Sequence, residues 1–144
     1  MATLESSVAR IMESYKSAVL ARDVKRFMQL YSPNVRVFDA WGIWSYEGAE
    51  SWQRAVEGWF GSVGASSVRV RFEQAQSTGS EDLACVSAIV TYDESSAQGE
   101  PLKSMQNRIT WMLRTTGHVL RIVHEHTSAP IGFEDMKAIL QMDK

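Results

Sequence analysis

The sequence predicts an α+β fold in which helices pack on one face of a curved antiparallel sheet. Two observations support this prediction. Apolar residues recur at helical spacing in the first 64 residues, and β-branched runs dominate residues 68–128. Short, turn-rich links join those runs, which favours antiparallel pairing of consecutive strands. A length of 144 residues suits one domain, so residues 1–144 are expected to share a single core.

The helices come first along the chain. A first helix is predicted over about residues 3–22, with an apolar stripe of Leu4, Val8, Ile11, Tyr15 and Val19. Asp23 suits the N-cap of a short second helix, which residues 32–34 end; its inner face would be Phe27, Leu30 and Tyr31. A third helix is expected between Gly48 and Gly61, because one side carries Trp52, Val56, Trp59 and Phe60.

Five strands are predicted, at residues 35–41, 68–76, 83–93, 103–116 and 118–128. The first places Asp39 on the same face as Val35 and Val37. In the last, simple alternation puts His124 and His126 on the face of Ile122, with Glu125 on the opposite face. Both imidazoles are therefore expected to point inward.

Composition excludes several classes of function. The formal net charge of −2 argues against a nucleic-acid or membrane-surface role, which would need a basic face. No apolar run approaches the roughly 20 residues that span a bilayer. The opening MATLESSVAR does not resemble a signal peptide, and the single cysteine, Cys85, is expected to be a small buried hydrophobe. A cytoplasmic protein is the expectation.

Four polar residues on inward faces, Tyr15, Asp39, His124 and His126, form the candidate site. Each has a structural alternative, because a buried tyrosine is often core and a buried acid or imidazole can serve a hydrogen-bond network. Their joint placement favours one cavity. The two histidines with Asp39 could form a metal site, but the spacing does not require one, so no metal is expected. Glycine-rich phosphate loops and a nucleophilic-serine elbow are absent, and no cofactor is expected.

Two segments, IMESYKSAVLARDVKRFMQLYSPNVRVFDAWG and RITWMLRTTGHVLRIVHEHTSAP, resemble the nuclear-transport-factor-2-like superfamily. Within it the chain is similar to the SnoaL-like and ketosteroid-isomerase-homologue branches. The second segment also resembles the association domain of calcium/calmodulin-dependent protein kinase II. The resemblance spans nearly the whole chain. It implies a cone-shaped fold, in which a strongly curved sheet wraps a long N-terminal helix, with two shorter helices and a pocket at the open end.

The resemblance also implies roles for individual residues. Tyr15 falls where ketosteroid isomerases place the tyrosine that donates to the developing enolate oxygen, and Asp39 falls where they place the proton-transferring carboxylate. The isomerases' third group, a protonated acid, falls near Ile109, which cannot donate. Histidines replace the apolar pocket walls at positions 124 and 126. This departure argues against steroid isomerisation itself. Arg108 would correspond to a pocket arginine of the kinase association domains.

Two functions remain open from the sequence. The first is proton transfer next to a carbonyl, with Asp39 as base, Tyr15 as oxyanion donor and His124 or His126 as shuttle or orienting group. The alternative is a non-catalytic ligand-binding or association module, in which Arg108 and a protonated histidine hold a carboxylate. In either case Trp41, Trp44, Tyr46 and Trp59 are expected to line the pocket. The expected ligand is a small apolar or carboxylate-bearing molecule, and the expected assembly is a homodimer.

Overall fold

The computed structural model describes residues 3–142, so Met1, Ala2, Asp143 and Lys144 lie outside the described part of the chain. The helices are α1 (Leu4–Ala21), α2 (Val24–Met28) and α3 (Ala49–Ser62). The strands are β1 (Tyr31–Phe38), β2 (Tyr46–Glu47), β3 (Ser67–Gly79), β4 (Leu83–Ser95), β5 (Pro101–Thr116) and β6 (Val119–Ser128). The α+β prediction is confirmed. None of the helices in the described range is long and apolar enough to cross a membrane.

One six-stranded sheet has the order β2-β1-β6-β5-β4-β3 and is not closed. The four long strands β3 to β6 pair antiparallel in sequence order, as their short links predict. In contrast, β1 runs parallel to β6, which places the first and last strands of the chain side by side. This pairing brings the end of β1, with Asp39 just beyond it, next to the second half of β6.

The first helix begins at a capping box. The Thr3 hydroxyl accepts a hydrogen bond from the backbone N–H of Ser6, and the Ser6 side chain accepts one from the backbone N–H of Thr3. The helix buries the predicted stripe, including Tyr15, against the sheet. Asp23 caps α2 by accepting a hydrogen bond from the backbone N–H of Arg26, as the sequence predicts.

The second helix is shorter than predicted. It ends at Met28, and Tyr31, which was expected on its inner face, begins β1 and pairs with Ile122 of β6. Pairing with β6 holds this part of the chain extended instead, since the backbone N–H of Ile122 donates to the carbonyl of Leu30 over 2.8 Å. As a result Tyr31 joins the sheet and points its side chain into the core.

The last strand contains a β-bulge that the sequence analysis did not anticipate. Leu113 of β5 pairs with Ile122, whereas the neighbouring Met112 pairs with His124. Val123 is therefore an extra residue without a partner on β5, and it resets the alternation of side chains along β6. Ile122 and Glu125, three residues apart, both point inward.

Candidate functional site

A cavity of about 960 Å³ opens between α3, the sheet and the C-terminal segment. Its walls are largely aromatic and include Tyr15, Trp41, Tyr46, Trp52, Trp59 and Tyr92. Three carboxyl groups also line it, those of Asp39, Glu94 and Glu125. The basic residue of the wall is Lys103, whose Nζ lies 3.8 Å from a carboxylate oxygen of Glu94. The cavity thus combines apolar surface with an excess of acidic groups.

Asp39 lies in this wall, on the inward face shared with Val35 and Val37, where the alternation of β1 predicts it. The Thr127 hydroxyl donates a hydrogen bond to its Oδ1 over 3.0 Å. That hydroxyl accepts in turn from the backbone N–H of Ala40, over 2.8 Å. Burial raises the pKa of Asp39, and the bond from Thr127 opposes this rise. Thr127 therefore fixes one oxygen of the carboxylate.

Tyr15 also reaches the cavity from the middle of α1. Its hydroxyl lies 2.8 Å from the hydroxyl of Tyr92 on β4, and either oxygen can be the donor. Each phenol carries one proton, and the bond between them uses only one. The pair therefore retains one O–H that can donate to a ligand. Burial raises the pKa of both phenols, which keeps them neutral.

Glu125 provides a buried carboxyl group beside these residues, and it is 2% exposed. Its Oε1 accepts two hydrogen bonds, one from the hydroxyl of Tyr31 over 2.6 Å and one from the indole N–H of Trp111 over 2.9 Å. Burial raises the pKa of Glu125 to about 7, the two donors oppose the rise, and the negative charge of Asp39 adds to it. Glu125 is therefore divided between its acid and carboxylate forms near neutral pH.

The prediction that His124 and His126 point inward is wrong. Both imidazoles lie on the outer face of the sheet, where their rings contact the ring of Phe38 at centroid distances of 5.0 and 5.5 Å. The Nδ1 atom of His124 is 2.8 Å from the carbonyl oxygen of Arg36. The bulge at Val123 is the cause, because one extra residue exchanges the two faces of the strand that follows it.

Of the predicted ligand-binding residues, some lie in the cavity wall and others lie outside it. Trp41, Tyr46 and Trp59 lie in the cavity wall. Trp44 is 97% exposed and lies outside the wall, because it sits at the tip of the bend after β1. Arg108 points outward, and its Nε donates to the hydroxyl of Ser128 over 3.0 Å. The register of β5 places Asn107, not Arg108, on the inner face.

A metal site of the kind considered from the histidine pair is not formed. Within residues 3–142, no three histidine, cysteine, aspartate or glutamate side chains lie close enough together to hold one ion. The outward turn of His124 and His126 also separates them from the Asp39 carboxylate in the cavity. The arrangement can instead take up and release protons and hydrogen-bond a ligand.

Five members of the site were not predicted from the sequence: Glu125, Thr127, Tyr31, Trp111 and Asn107. Strict alternation from Ile122 assigned Glu125 to the outer face, and no residue in the strand signals the bulge. A signal was present for Asn107, since counting from the buried Trp111 by twos assigns it to the inner face. Thr127 carries no comparable signal, because its role depends on the parallel pairing of β1 with β6.

Comparison with known proteins places these features in a family context. The family model described as a SnoaL-like domain matches residues 8–132. No curated protein matches the sequence.

Solved structures resemble the fold closely at low sequence identity. A nuclear-transport-factor-2-like protein of unknown function from Pseudomonas putida has a TM-score of 0.84 and 23% identity, over 97% of this chain and 96% of that one. ActVI-ORFA from Streptomyces coelicolor has a TM-score of 0.77 and 10% identity, over 87% and 96%. A putative calcium/calmodulin-dependent protein kinase II association domain from Xanthomonas campestris has a TM-score of 0.74 and 15% identity, over 90% and 93%. These similarities confirm the predicted cone-shaped fold.

Proposed function

Because the chain belongs to the SnoaL-like domain family, whose fold holds a pocket at its open end, we propose that it is a proton-transfer enzyme acting on a small carbonyl compound. The observation that carries the proposal is the pairing of two carboxyl groups, Asp39 and Glu125, in one aromatic cavity with different environments. Two acids whose surroundings separate their pKa values can act as base and acid in the same reaction.

Asp39 takes the role of base. It is less buried than Glu125, so burial disfavours its charged form less. In the reaction its carboxylate removes a proton from the carbon next to the ligand's carbonyl. The electron pair of that C–H bond forms the carbon–carbon double bond of an enolate, and the π pair of the carbonyl moves onto its oxygen. Returning the proton to the same or another carbon completes an exchange or an isomerisation.

The enolate oxygen needs hydrogen-bond donors, and the cavity offers two. One is the remaining O–H of the Tyr15–Tyr92 pair. The other is neutral Glu125, whose Oε1 is occupied by Tyr31 and Trp111 while Oε2 has no hydrogen bond to a described residue. The charge of Asp39 helps to keep Glu125 protonated, so the base supports the acid. Donors preorganised around a developing oxyanion stabilise it strongly in a water-poor site.

His124 and His126 point away from the cavity and take no part in this chemistry. Glu125 takes the role of proton shuttle or orienting group that was considered for them. The binding-module alternative requires an Asp39 carboxylate fully engaged by protein donors. Asp39 lines the cavity, and its carboxylate is stabilised by the Thr127 hydroxyl and by the backbone N–H groups of Ala40 and Trp41, so activity and not this contact separates the two functions.

A test uses deuterium exchange at the carbon next to the carbonyl of 2-tetralone in D₂O, followed by NMR against a protein-free background. Asp39→Asn is expected to lower the protein-dependent exchange rate by roughly 10²- to 10⁴-fold, the usual contribution of a general base. Asp82→Asn is the matched control, since Asp82 is an exposed aspartate whose side chain lies outside the cavity. Equal exchange by wild type and Asp39→Asn would refute the proposal.

A further inference from the structure

The cavity wall contains a buried polar side chain without a protein partner. Asn107 is 6% exposed and lines the cavity from the inner face of β5. Its Oδ1 is buried and accepts no hydrogen bond from a residue in the described part of the chain. Leaving such a group unpaired costs about 1–3 kcal/mol, and buried amides are therefore nearly always bonded. This cost is recovered when a ligand supplies the missing partner.

The position of Asn107 separates it from the acid pair. It lies two residues along β5 from Ile109, which pairs with Thr127, the partner of Asp39. Two residues of a strand span roughly 7 Å. On the other side Asn107 pairs with Val90 of β4, one inward position from Tyr92. The amide therefore faces a different part of a bound ligand from the part that Asp39 contacts.

The chemistry of the wall restricts what that part can be. A side-chain amide offers two N–H donors and one oxygen acceptor, and the unpaired atom here is the acceptor Oδ1, so a ligand hydroxyl can supply the missing donor. A carboxylate accepts but does not donate, and it would enter a cavity lined by Asp39, Glu94 and Glu125. Lys103 is already near Glu94 and is mostly exposed, so it offers little compensation.

We propose that Asn107 is a specificity residue that binds a hydroxyl group of a neutral hydroxy-carbonyl ligand, away from the carbon on which Asp39 acts. This inference rests on the proposed function and names its substrate class. Selectivity of this kind is strong, because a ligand without the hydroxyl leaves the buried amide unpaired in the complex as well.

The test compares 2-tetralone with its ring-hydroxylated isomers, using quenching of tryptophan fluorescence to measure dissociation constants. At least one isomer is expected to bind wild type about tenfold more tightly than 2-tetralone. Asn107→Leu and Asn107→Ala should both reduce that ratio to about one. Met112→Leu, on the same strand but outside the cavity wall, is the matched control and should keep it. The alanine variant separates the lost amide from the added bulk of leucine.

A second measurement excludes a merely structural role. Asn107→Leu is expected to melt at the same temperature as wild type or higher, because it removes an unsatisfied polar group from the free protein. A lower melting temperature in both variants, no preference for any hydroxylated isomer in wild type, or a preference that survives in both variants would overturn the inference. Exchange of 2-tetralone by wild type, and its loss in Asp39→Asn, test the proposed function separately. Failure of the inference with exchange intact would leave the proposed function standing.

Discussion

At the scale of single residues, the site depends on how burial is divided between two carboxyl groups. Glu125 is enclosed and bonded at one oxygen by Tyr31 and Trp111, whereas Asp39 is half-buried and bonded by Thr127. Burial disfavours the charged form, so the more enclosed group holds its proton to higher pH. The roles of acid and base therefore follow from depth in the cavity, and the same depth has a cost in stability.

Glu125 should make the stability of the fold depend on pH. An unfolded glutamate has a pKa near 4.5, and the folded value is about 7, so the native state binds the proton more tightly. The contribution of Glu125 to the free energy of unfolding is therefore highest below pH 4.5, and it falls as the pH rises through 7. The total fall is about 3 kcal/mol.

Glu125→Gln should remove this contribution, because glutamine keeps the shape and does not titrate. Chemical denaturation of wild type and variant across the range from acid to neutral pH measures the difference directly. The free energy of unfolding of the variant should increase relative to that of wild type as the pH rises. This difference should stop growing above pH 7. Parallel curves for the two proteins would show that Glu125 is ionised in the native state already at low pH.

At the scale of elements, the C-terminal segment after β6 completes the cavity. β6 ends at Ser128, opposite Arg108, so the first residues of β5 have no partner from β6. The backbone N–H of Gln106 donates instead to the carbonyl of Leu140 over 2.7 Å, and the Gln106 side-chain oxygen accepts from the N–H of Met142. Ile139, Leu140 and Gln141 thereby become part of the wall.

A chain truncated after Pro130 should still fold, but it should bind its ligand poorly. Most of residues 131–142 are exposed, so their loss removes little core, but it opens one side of the cavity. Ligand affinity, measured by tryptophan quenching with 2-tetralone, should fall about tenfold or more, equivalent to about 1.4 kcal/mol. Phe133→Ala is the control, because Phe133 is 97% exposed and outside the wall. Full affinity in the truncated chain would show that the segment is not part of the binding site.

Elements also mark where prediction from the sequence succeeded and failed. Helix α1, the Asp23 cap and the four long antiparallel strands follow from local periodicity and turn chemistry. The inward face predicted for Asp39 is correct because β1 alternates regularly from Val35 to Val37. Glu125 was not, because a bulge depends on pairing with a distant strand and leaves no local pattern. Thr127 and Asn107 depend likewise on long-range register.

At the scale of the whole molecule, one core joins all parts of the fold. It is a continuous cluster to which helices α1 to α3 and strands β1 and β3 to β6 contribute. Tyr15 of α1 contacts the rings of Phe27, Phe72 and Trp111, so the central helix is tied to α2, β3 and β5 at once. Elements that share their core in this way unfold together.

The protein should therefore unfold in a single cooperative step. Tryptophan fluorescence reports on the cavity, since Trp41, Trp52 and Trp59 line it, and far-ultraviolet circular dichroism reports on the sheet and helices. Denaturant curves from the two methods should coincide. A ligand present at about 100 times its dissociation constant should shift both curves together by about 2.7 kcal/mol. An earlier transition in the fluorescence curve would show that the cavity opens before the core melts.

The unpaired Val123 in β6 has a consequence for how such chains diverge. Loss of that one residue would restore strict alternation and still leave the carboxyl of Glu125 in the hollow and the imidazoles outside, because the residues after it would keep their partners on β5. The same residues would exchange faces if the strand paired regularly through Val123, which would place the imidazoles in the hollow and the carboxyl outside. Histidine-x-histidine motifs in related sequences can only be interpreted once the presence of the inserted residue is known.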